Sequence, residues 1–291
     1  MQKESTLCGP CARVIESMSR NTRAGARRNI HAHYDLGNDF YAAWLDPSMV
    51  YSSARFDGGA TDLEGAQQDK LAAIAARIAG AKTVLEIGCG WGALAARLQA
   101  DGAQVTAISL SDEQLAYARA EHPGIDFRKQ DYRDVAGQFD GIASVEMVEA
   151  VGRAYWPAFF DCIARNLAPG GRAAIQYIAI RETLFPAYAA SADFIQAYVF
   201  PGGMLVSEAE FRGLAAQRGL VWTDQADFAL DYAETLRIWR EKFDQAVTED
   251  RLPAQFDDRF QRLWRFYLMY CEGGFRGGGI TVAQVTLCAR G

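Results

Sequence analysis

Residues 84–92 read Val84-Leu85-Glu86-Ile87-Gly88-Cys89-Gly90-Trp91-Gly92. Val84, Leu85 and Ile87 form a short apolar run suited to a buried strand, and residues 93–99 have helical composition. The alternating glycines between them let the backbone turn sharply and approach a ligand closely, because glycine has no Cβ. Strand, glycine loop and helix together make a nucleotide-binding turn. The spacing is not the G-x-G-x-x-G that seats a pyrophosphate on a helix N-terminus. A dinucleotide site also wants an acid at the end of the second strand, and here the run Val105-Thr106-Ala107-Ile108 ends in Ser109. The acid stands before the loop instead, as Glu86.

The pattern E-x-G-x-G-x-G resembles the first motif of S-adenosylmethionine-dependent methyltransferases. The composition agrees with a folded enzyme: 291 residues, half of them hydrophobic, support a sizeable core. A net charge of −6 argues against nucleic acid as a partner. No apolar run is long enough to span a membrane and the N-terminus lacks a signal-peptide core, so the expectation is a cytoplasmic protein. Residues 12–30 are basic, with Arg13, Arg20, Arg23, Arg27 and Arg28 against Glu16. Such a helix suits either peripheral contact with the inner face of an anionic membrane or a solvated lid, and both readings stay open. Cys8 and Cys11 have redox-motif spacing but no strand before them and no second pair to complete a zinc site, so no metal is expected. Only three histidines occur, at 31, 33 and 122. Proton chemistry in the C-terminal half therefore falls to carboxylates, tyrosines or a bound ion.

Apolar patterning predicts strands at 83–87, 104–109, 127–129, 141–145, 172–180, 220–229 and 280–289. Helices are predicted at 63–79, 92–100, 112–122 and 156–168. This alternation implies a parallel sheet with helices on both faces, an α/β Rossmann-like architecture. Residues 1–62 read as an N-terminal helical cap segment and 63–291 as the main domain, with 181–215 as an insertion. The segment 260–271 is apolar all round, which predicts a helix buried on both sides.

Several separated motifs resemble the cyclopropane-fatty-acyl-phospholipid synthases and their methyltransferase relatives. They are His33-Tyr34-Asp35-Leu36-Gly37-Asn38-Asp39-Phe40, Leu45-Asp46-Pro47-Ser48-Met49-Val50-Tyr51-Ser52, Ala66-Gln67-Gln68-Asp69-Lys70, Gln130-Asp131-Tyr132-Arg133-Asp134 and Ser144-Val145-Glu146-Met147-Val148-Glu149. Further on come Tyr198-Val199-Phe200-Pro201-Gly202-Gly203, Asp231-Tyr232-Ala233-Glu234-Thr235-Leu236 and Cys271-Glu272-Gly273-Gly274-Phe275-Arg276. The resemblance implies a seven-stranded methyltransferase sheet with an α-helical cap, S-adenosylmethionine as cofactor and an unsaturated acyl lipid as acceptor. It implies that Tyr51, Ser52, Glu86, Gly88 and Gly90 lie against the methionyl end of the cofactor. Ser109, Leu110 and Gln114 match the ribose segment, and Asp131 and Tyr132 the segment beside the adenine. The stretch 181–215 and the N-terminal helices would enclose the acyl chain. Because the motifs begin near residue 33, the N-terminal domain of longer synthases is expected to be absent.

In that family a bound bicarbonate is thought to take the proton released after methyl transfer. Its glutamate and tyrosine ligands match Glu149 and Tyr232, with Ile178 at the backbone position. The cysteine position holds Ser53 and the histidine position Gln176, and Ala150 follows Glu149. Glu146 stands where those synthases commonly have glycine. A helical turn would set Glu146 and Glu149 on one face, where two carboxylates would oppose a bicarbonate and favour a cation. The expectation is an altered or absent bicarbonate site, catalysis by Glu149 with Glu146, Tyr232, Gln176 and Ser53, and a methyl-branched or cyclopropane product. The alternatives are methylation of a small amine, against which the missing histidine counts, and a non-catalytic lipid- or cofactor-binding protein.

Overall fold

The computed structural model describes residues 21–23, 25 and 36–289. Cys8, Cys11, His31, His33 and most of the basic stretch lie outside the described residues. The chain runs α1 (Asn38–Ala42), α2 (Leu63–Arg77), β1 (Thr83–Ile87), α3 (Ala93–Ala100), β2 (Gln104–Ser109), α4 (Asp112–Glu121), β3 (Asp126–Lys129) and β4 (Phe139–Val145). It continues through α5 (Val148–Val151), α6 (Trp156–Asn166), β5 (Leu167–Ile180), α7 (Phe185–Ala189), α8 (Phe194–Tyr198) and α9 (Glu208–Gln217). The last elements are β6 (Leu220–Asp227), α10 (Ala229–Thr248), α11 (Asp258–Arg276) and β7 (Ile280–Ala289).

All seven predicted strands form one sheet, in the order β3-β2-β1-β4-β5-β7-β6. The sheet is mixed: β1 to β5 run parallel, as their alternation with helices predicts, and beyond them β7 runs antiparallel to both β5 and β6. The reason lies in where α11 ends. Ile280 opens β7 opposite Ile180, the last residue of β5, and the Arg181 N–H bonds Gly279 O at 2.9 Å. The strand can only run back from that edge.

Helices cover both faces. On one, Trp156, Phe159, Phe160 and Phe211 pack against Tyr177 and Val285; on the other, Ile74, Leu94, Leu98 and Leu115 cover Val84 and Val105. Helix α9 belongs to the first layer, since the Phe211 ring lies 4.5 Å from Phe160 and 5.3 Å from Tyr177. Of the stretch 181–215, the residues from 208 on are therefore part of the sheet's own packing.

A third cluster joins α1 to α10 and α11. Phe40 lies 5.0 Å from Trp264 and Trp44 lies 5.7 Å from Trp239, all four rings fully or nearly fully buried. No packing boundary therefore falls between residues 62 and 63. Helix α11 buries Trp264, Tyr267 and Leu268 here, but Phe266, Met269 and Tyr270 are 49%, 53% and 43% exposed. The expected burial on both sides is corrected: Phe194 of the short α8 meets Phe266 at 4.7 Å and Tyr270 at 5.7 Å and leaves the rest of that face open. Among the described residues, no helix is long and apolar enough to cross a membrane.

Candidate active site

The glycine loop leaves β1 at the carboxyl end of the sheet, where open α/β folds bind ligands. The N–H groups of Gly88 and Cys89 both bond Ile108 O at 3.0 Å, tying the loop to β2. Gly88 and Gly90 have φ of +84° and +52°, a left-handed region that costs a side-chain-bearing residue about 1–2 kcal/mol. Above the loop lies a cleft with about 1250 Å³ of empty space, its mouth included. Tyr51, Ser52, Glu86, Gly88 and Gly90 line one end, and Ser109, Leu110, Gln114, Asp131 and Tyr132 the other. All ten residues read from the sequence as cofactor contacts thus share one cavity.

The cleft has features that fit a zwitterionic, nucleoside-bearing sulfonium. A Cβ on Gly90 would find no atom within 4 Å, because it would point into open space. Glu86 Oε2 and the Tyr132 hydroxyl are buried without a partner. Lys70, to which the sequence reading gave no role, lies fully buried on the cleft wall and donates to Ser52 Oγ at 2.6 Å. Burial pushes its ammonium down to about 8, against the pull of Glu146, Asp46 and Glu86. Burial pushes the Glu86 carboxyl up to about 8, opposed by Lys70. At the far end, Ser109 and Gln114 approach at 3.3 Å. Asp131 is held by Arg133, whose Nε donates at 2.8 Å and which keeps the carboxyl below its usual range despite burial. The Arg133 guanidinium stacks between Tyr132 and Tyr155 at 5.6 and 5.3 Å from their ring centres. Arg133 and Tyr155 were missed in the sequence; the Asp-x-Arg spacing was the available signal.

The second cluster opens off this cleft at Glu146. Strand β4 ends at Val145 and α5 starts at Val148, so Glu146 lies in the turn between them, at φ +47°. It is not on a helix, and a helical face does not bring it to Glu149; the left-handed turn does. A strained non-glycine residue of this kind is characteristic of functional sites. Three donors converge on its carboxylate. The Ser53 N–H and Gln176 Nε2 donate to Oε1 at 2.9 and 2.8 Å, and the Tyr232 hydroxyl donates to Oε2 at 2.7 Å. The Ser53 hydroxyl turns away to Ala54 O, so this residue acts through its backbone and not its side chain. Glu149 accepts from the Ile178 N–H through one oxygen, while its Oε2 is buried without a partner.

The two acids differ in what opposes their burial. Glu146 is pushed up by desolvation, but three donors and Lys70 hold it down. Glu149 is pushed up to about 8 by desolvation and by the Glu146 charge, with backbone groups alone opposing. Two like charges this close do not both persist in a buried site. Of the two, Glu146 has the surroundings that favour the charge, and Glu149 those that favour the proton.

Raised acids give folding a distinctive pH dependence. Glu86 and Glu149 rise from the model-peptide value of 4.5 to about 8, so the folded chain binds protons the unfolded chain has lost. Stability is fully present below the unfolded value and falls as pH rises through the folded one. Lys70 acts in the opposite sense only above about pH 8. The melting temperature at pH 8 is expected to lie on the order of 3–5 °C below that at pH 6. Calorimetric scans at the two pH values check this, and a higher value at pH 8 contradicts the assignment.

Residues 21–285 match the family described as mycolic acid cyclopropane synthetase. The chain belongs to that family. It is 42% identical over 287 residues to the tuberculostearic acid methyltransferase UfaA1 of Mycobacterium tuberculosis, covering 93% of this chain and 67% of that one. It is 37% identical over 259 residues to the cyclopropane-fatty-acyl-phospholipid synthase of Escherichia coli K12, covering 87% and 65%. The curated relatives are thus about half as long again as this chain. Among solved structures, the cyclopropane synthase MmaA2 of M. tuberculosis superposes with a TM-score of 0.82 at 27% identity, over 90% of this chain and 98% of that one. Like the other members of the mycolic acid cyclopropane synthetase family, this protein is an S-adenosylmethionine-dependent methyltransferase in fold and class.

Proposed function

We propose that this chain transfers a methyl group to a carbon–carbon double bond of an unsaturated fatty acyl lipid, and that Glu146 collects the released proton in place of bicarbonate. The observation that carries the reading is the convergence of the Ser53 N–H, Gln176 and Tyr232 on the Glu146 carboxylate. These are three of the positions at which the family resemblance implies bicarbonate ligands. With those donors already taken by the Glu146 carboxyl group, a free bicarbonate has no place among them. The names of the relatives support the acceptor class, since they include a tuberculostearic acid methyltransferase and an acyl-phospholipid synthase.

S-adenosylmethionine fits the cleft, with Lys70 and Glu86 opposing its carboxylate and ammonium, Ser109 and Gln114 its ribose, and Tyr132 its adenine. Bound there it supplies an electrophilic methyl group on a sulfonium. An alkene is a weak nucleophile, and giving up its π electrons to that methyl group leaves a cation on the adjacent chain carbon. The Glu146 carboxylate stabilises this cation across a water-excluded site. It then accepts a proton from a carbon next to the cationic centre, and the C–H pair becomes a new double bond. Tyr232, Gln176 and the Ser53 N–H keep Glu146 aimed and anionic, while neutral Glu149 adds no competing charge. A base fixed to the chain takes the proton from one direction, which favours a methyl-branched alkene over the ring.

The acceptor in this reading is a phospholipid-linked chain, reached by transient contact with a membrane surface. The exposed Phe266, Met269 and Tyr270, with exposed Arg259 and Arg262 on the same helix, support that contact. Incubation with methyl-labelled S-adenosylmethionine and mixed unsaturated phospholipids tests the proposal. Label is expected in acyl chains that take up hydrogen catalytically and show vinylic but no cyclopropyl protons by NMR. Exclusive ring formation refutes the branched product, and label confined to amines refutes the acceptor class.

A further inference from the structure

Gln176 reaches Glu146 at one end, and its other end is held just as firmly. It pairs across the sheet with Gln284 of β7, and Gln284 Nε2 donates to Gln176 Oε1 at 3.0 Å. Gln284 Oε1 in turn accepts from Arg55 at 3.1 Å and from Arg77 Nε at 3.4 Å. Both glutamines are fully buried, and Arg77 is 9% exposed.

A glutamine amide can be turned either way, and only its partners settle which end is oxygen. Here the partners leave no choice. A guanidinium has donors and no acceptor, so Gln284 must turn its oxygen to the two arginines. Its NH2 then faces Gln176, whose oxygen must meet it. That leaves only the Gln176 NH2 to face Glu146. The order of donors along the chain is set at its arginine end and read out at the carboxylate, through groups in a low-dielectric interior where such bonds polarise one another.

We infer that Arg55, Arg77 and Gln284 form a positioning relay that forces Gln176 to present a donor to Glu146 and so keeps Glu146 available as a base. The inference rests on the reading of Glu146 as the proton acceptor. It explains why glutamine serves at position 176, where the resemblance implies a histidine. An isolated amide could turn its oxygen to Glu146 and accept from the protonated acid, and this one is prevented from doing so.

Other groups also bear on Glu146. Lys70 of α2 holds it anionic and Glu86 of β1 acts through Lys70, while Glu149 of α5 repels it. The Tyr232 hydroxyl of α10 donates to it, with Tyr51 and Cys271 beside that tyrosine. None of these touches Gln284, so substitutions there isolate the relay.

The test is kcat/KM against pH for the wild type, Gln284→Glu, Gln284→Met, Gln176→Met and the double variant Gln176→Met/Gln284→Glu, with labelled S-adenosylmethionine and an unsaturated phospholipid. A glutamate at 284 still accepts from the arginines but has no NH2 for Gln176, whose amide then turns its oxygen toward Glu146. The acid limb of Gln284→Glu is expected to move up by about one pH unit, which lowers turnover about tenfold on that limb and leaves the alkaline plateau within about twofold. Gln284→Met should move the limb the same way by less, and it provides the reading if Gln284→Glu does not fold. In the Gln176→Met background, adding Gln284→Glu should move nothing further. An unmoved limb in the position-284 variants overturns the relay. So does an equal shift with and without Gln176, since that is through-space charge. If Glu146→Gln itself keeps wild-type turnover and its acid limb, the role of Glu146 fails instead.

Discussion

Replacing Glu146 with glutamine is expected to lower kcat on an unsaturated acyl acceptor by about 1000-fold, within the usual range for loss of a positioned general base. The dissociation constant for S-adenosylmethionine should change by less than about threefold, because the loss falls on stabilising the cation and taking its proton and not on cofactor binding. Glutamine keeps the volume and one acceptor oxygen, and Ser53 N–H can still bond it. It cannot take a proton, and its NH2 confronts the NH2 of Gln176 or the hydroxyl of Tyr232. Glu149→Gln is the control. Glu149 already holds its proton, being pushed up to about 8, so a neutral amide imitates the working state and the expected loss is no more than about tenfold. Glu146→Gly sharpens the contrast. It vacates the space among the three donors, and millimolar bicarbonate should restore part of the lost turnover, with cyclopropane appearing in the product. Steady-state kinetics with product NMR reads all three. Equal losses at 146 and 149, or no bicarbonate response in Glu146→Gly, would remove the distinction drawn between the two acids.

What sequence reasoning could reach here follows from the range of the forces involved. Strand β1, the glycine loop and α3 are set by neighbours within a dozen residues, and their limits match the reading to within one residue. Eight of the ten cofactor residues sit at or shortly past the carboxyl ends of β1, β2 and β3, so placing the strands placed them; Tyr51 and Ser52 precede α2 and came from the resemblance alone. The direction of β7 was not legible, because it depends on where a helix of 19 residues ends in space. The exposure of Phe266 and Tyr270 was not legible either, since an apolar residue shows its type and not the length of the element that covers it. At Glu146 the sequence showed an acid where glycine was expected, and with Glu149 a charge that would oppose a bicarbonate. That it would occupy the seat of an anion, turned by a left-handed φ and met by groups at 53, 176 and 232, needs four distant segments in place. Lys70 passed unnoticed for a related reason: a lysine on an amphipathic helix reads as a solvated charge, and only the tertiary fold buries it.

The assignment of the cleft to the cofactor yields the second large effect. Gly90→Val is expected to weaken S-adenosylmethionine binding on the order of 100-fold, while the melting temperature falls by roughly 2–8 °C. Two properties of the position separate affinity from stability. A Cβ here meets no atom within 4 Å, so the main cost to the fold is the strain of a left-handed φ of +52°. The same open space is where the proposed function puts the methionyl end of the ligand, so in that reading the valine methyls stand in the ligand's place. Gly88 supplies the comparison. Its Cβ would come within 2.7 Å of the Met147 side chain, next to Glu146. Gly88→Val should therefore disturb the catalytic turn as well as the cleft, lowering stability and affinity together. Isothermal titration with S-adenosylhomocysteine alongside thermal melts distinguishes the two. If Gly90→Val binds as tightly as the wild type, the cofactor does not approach the loop, and the placement of Lys70, Glu86 and the reacting methyl group beside Glu146 falls with it.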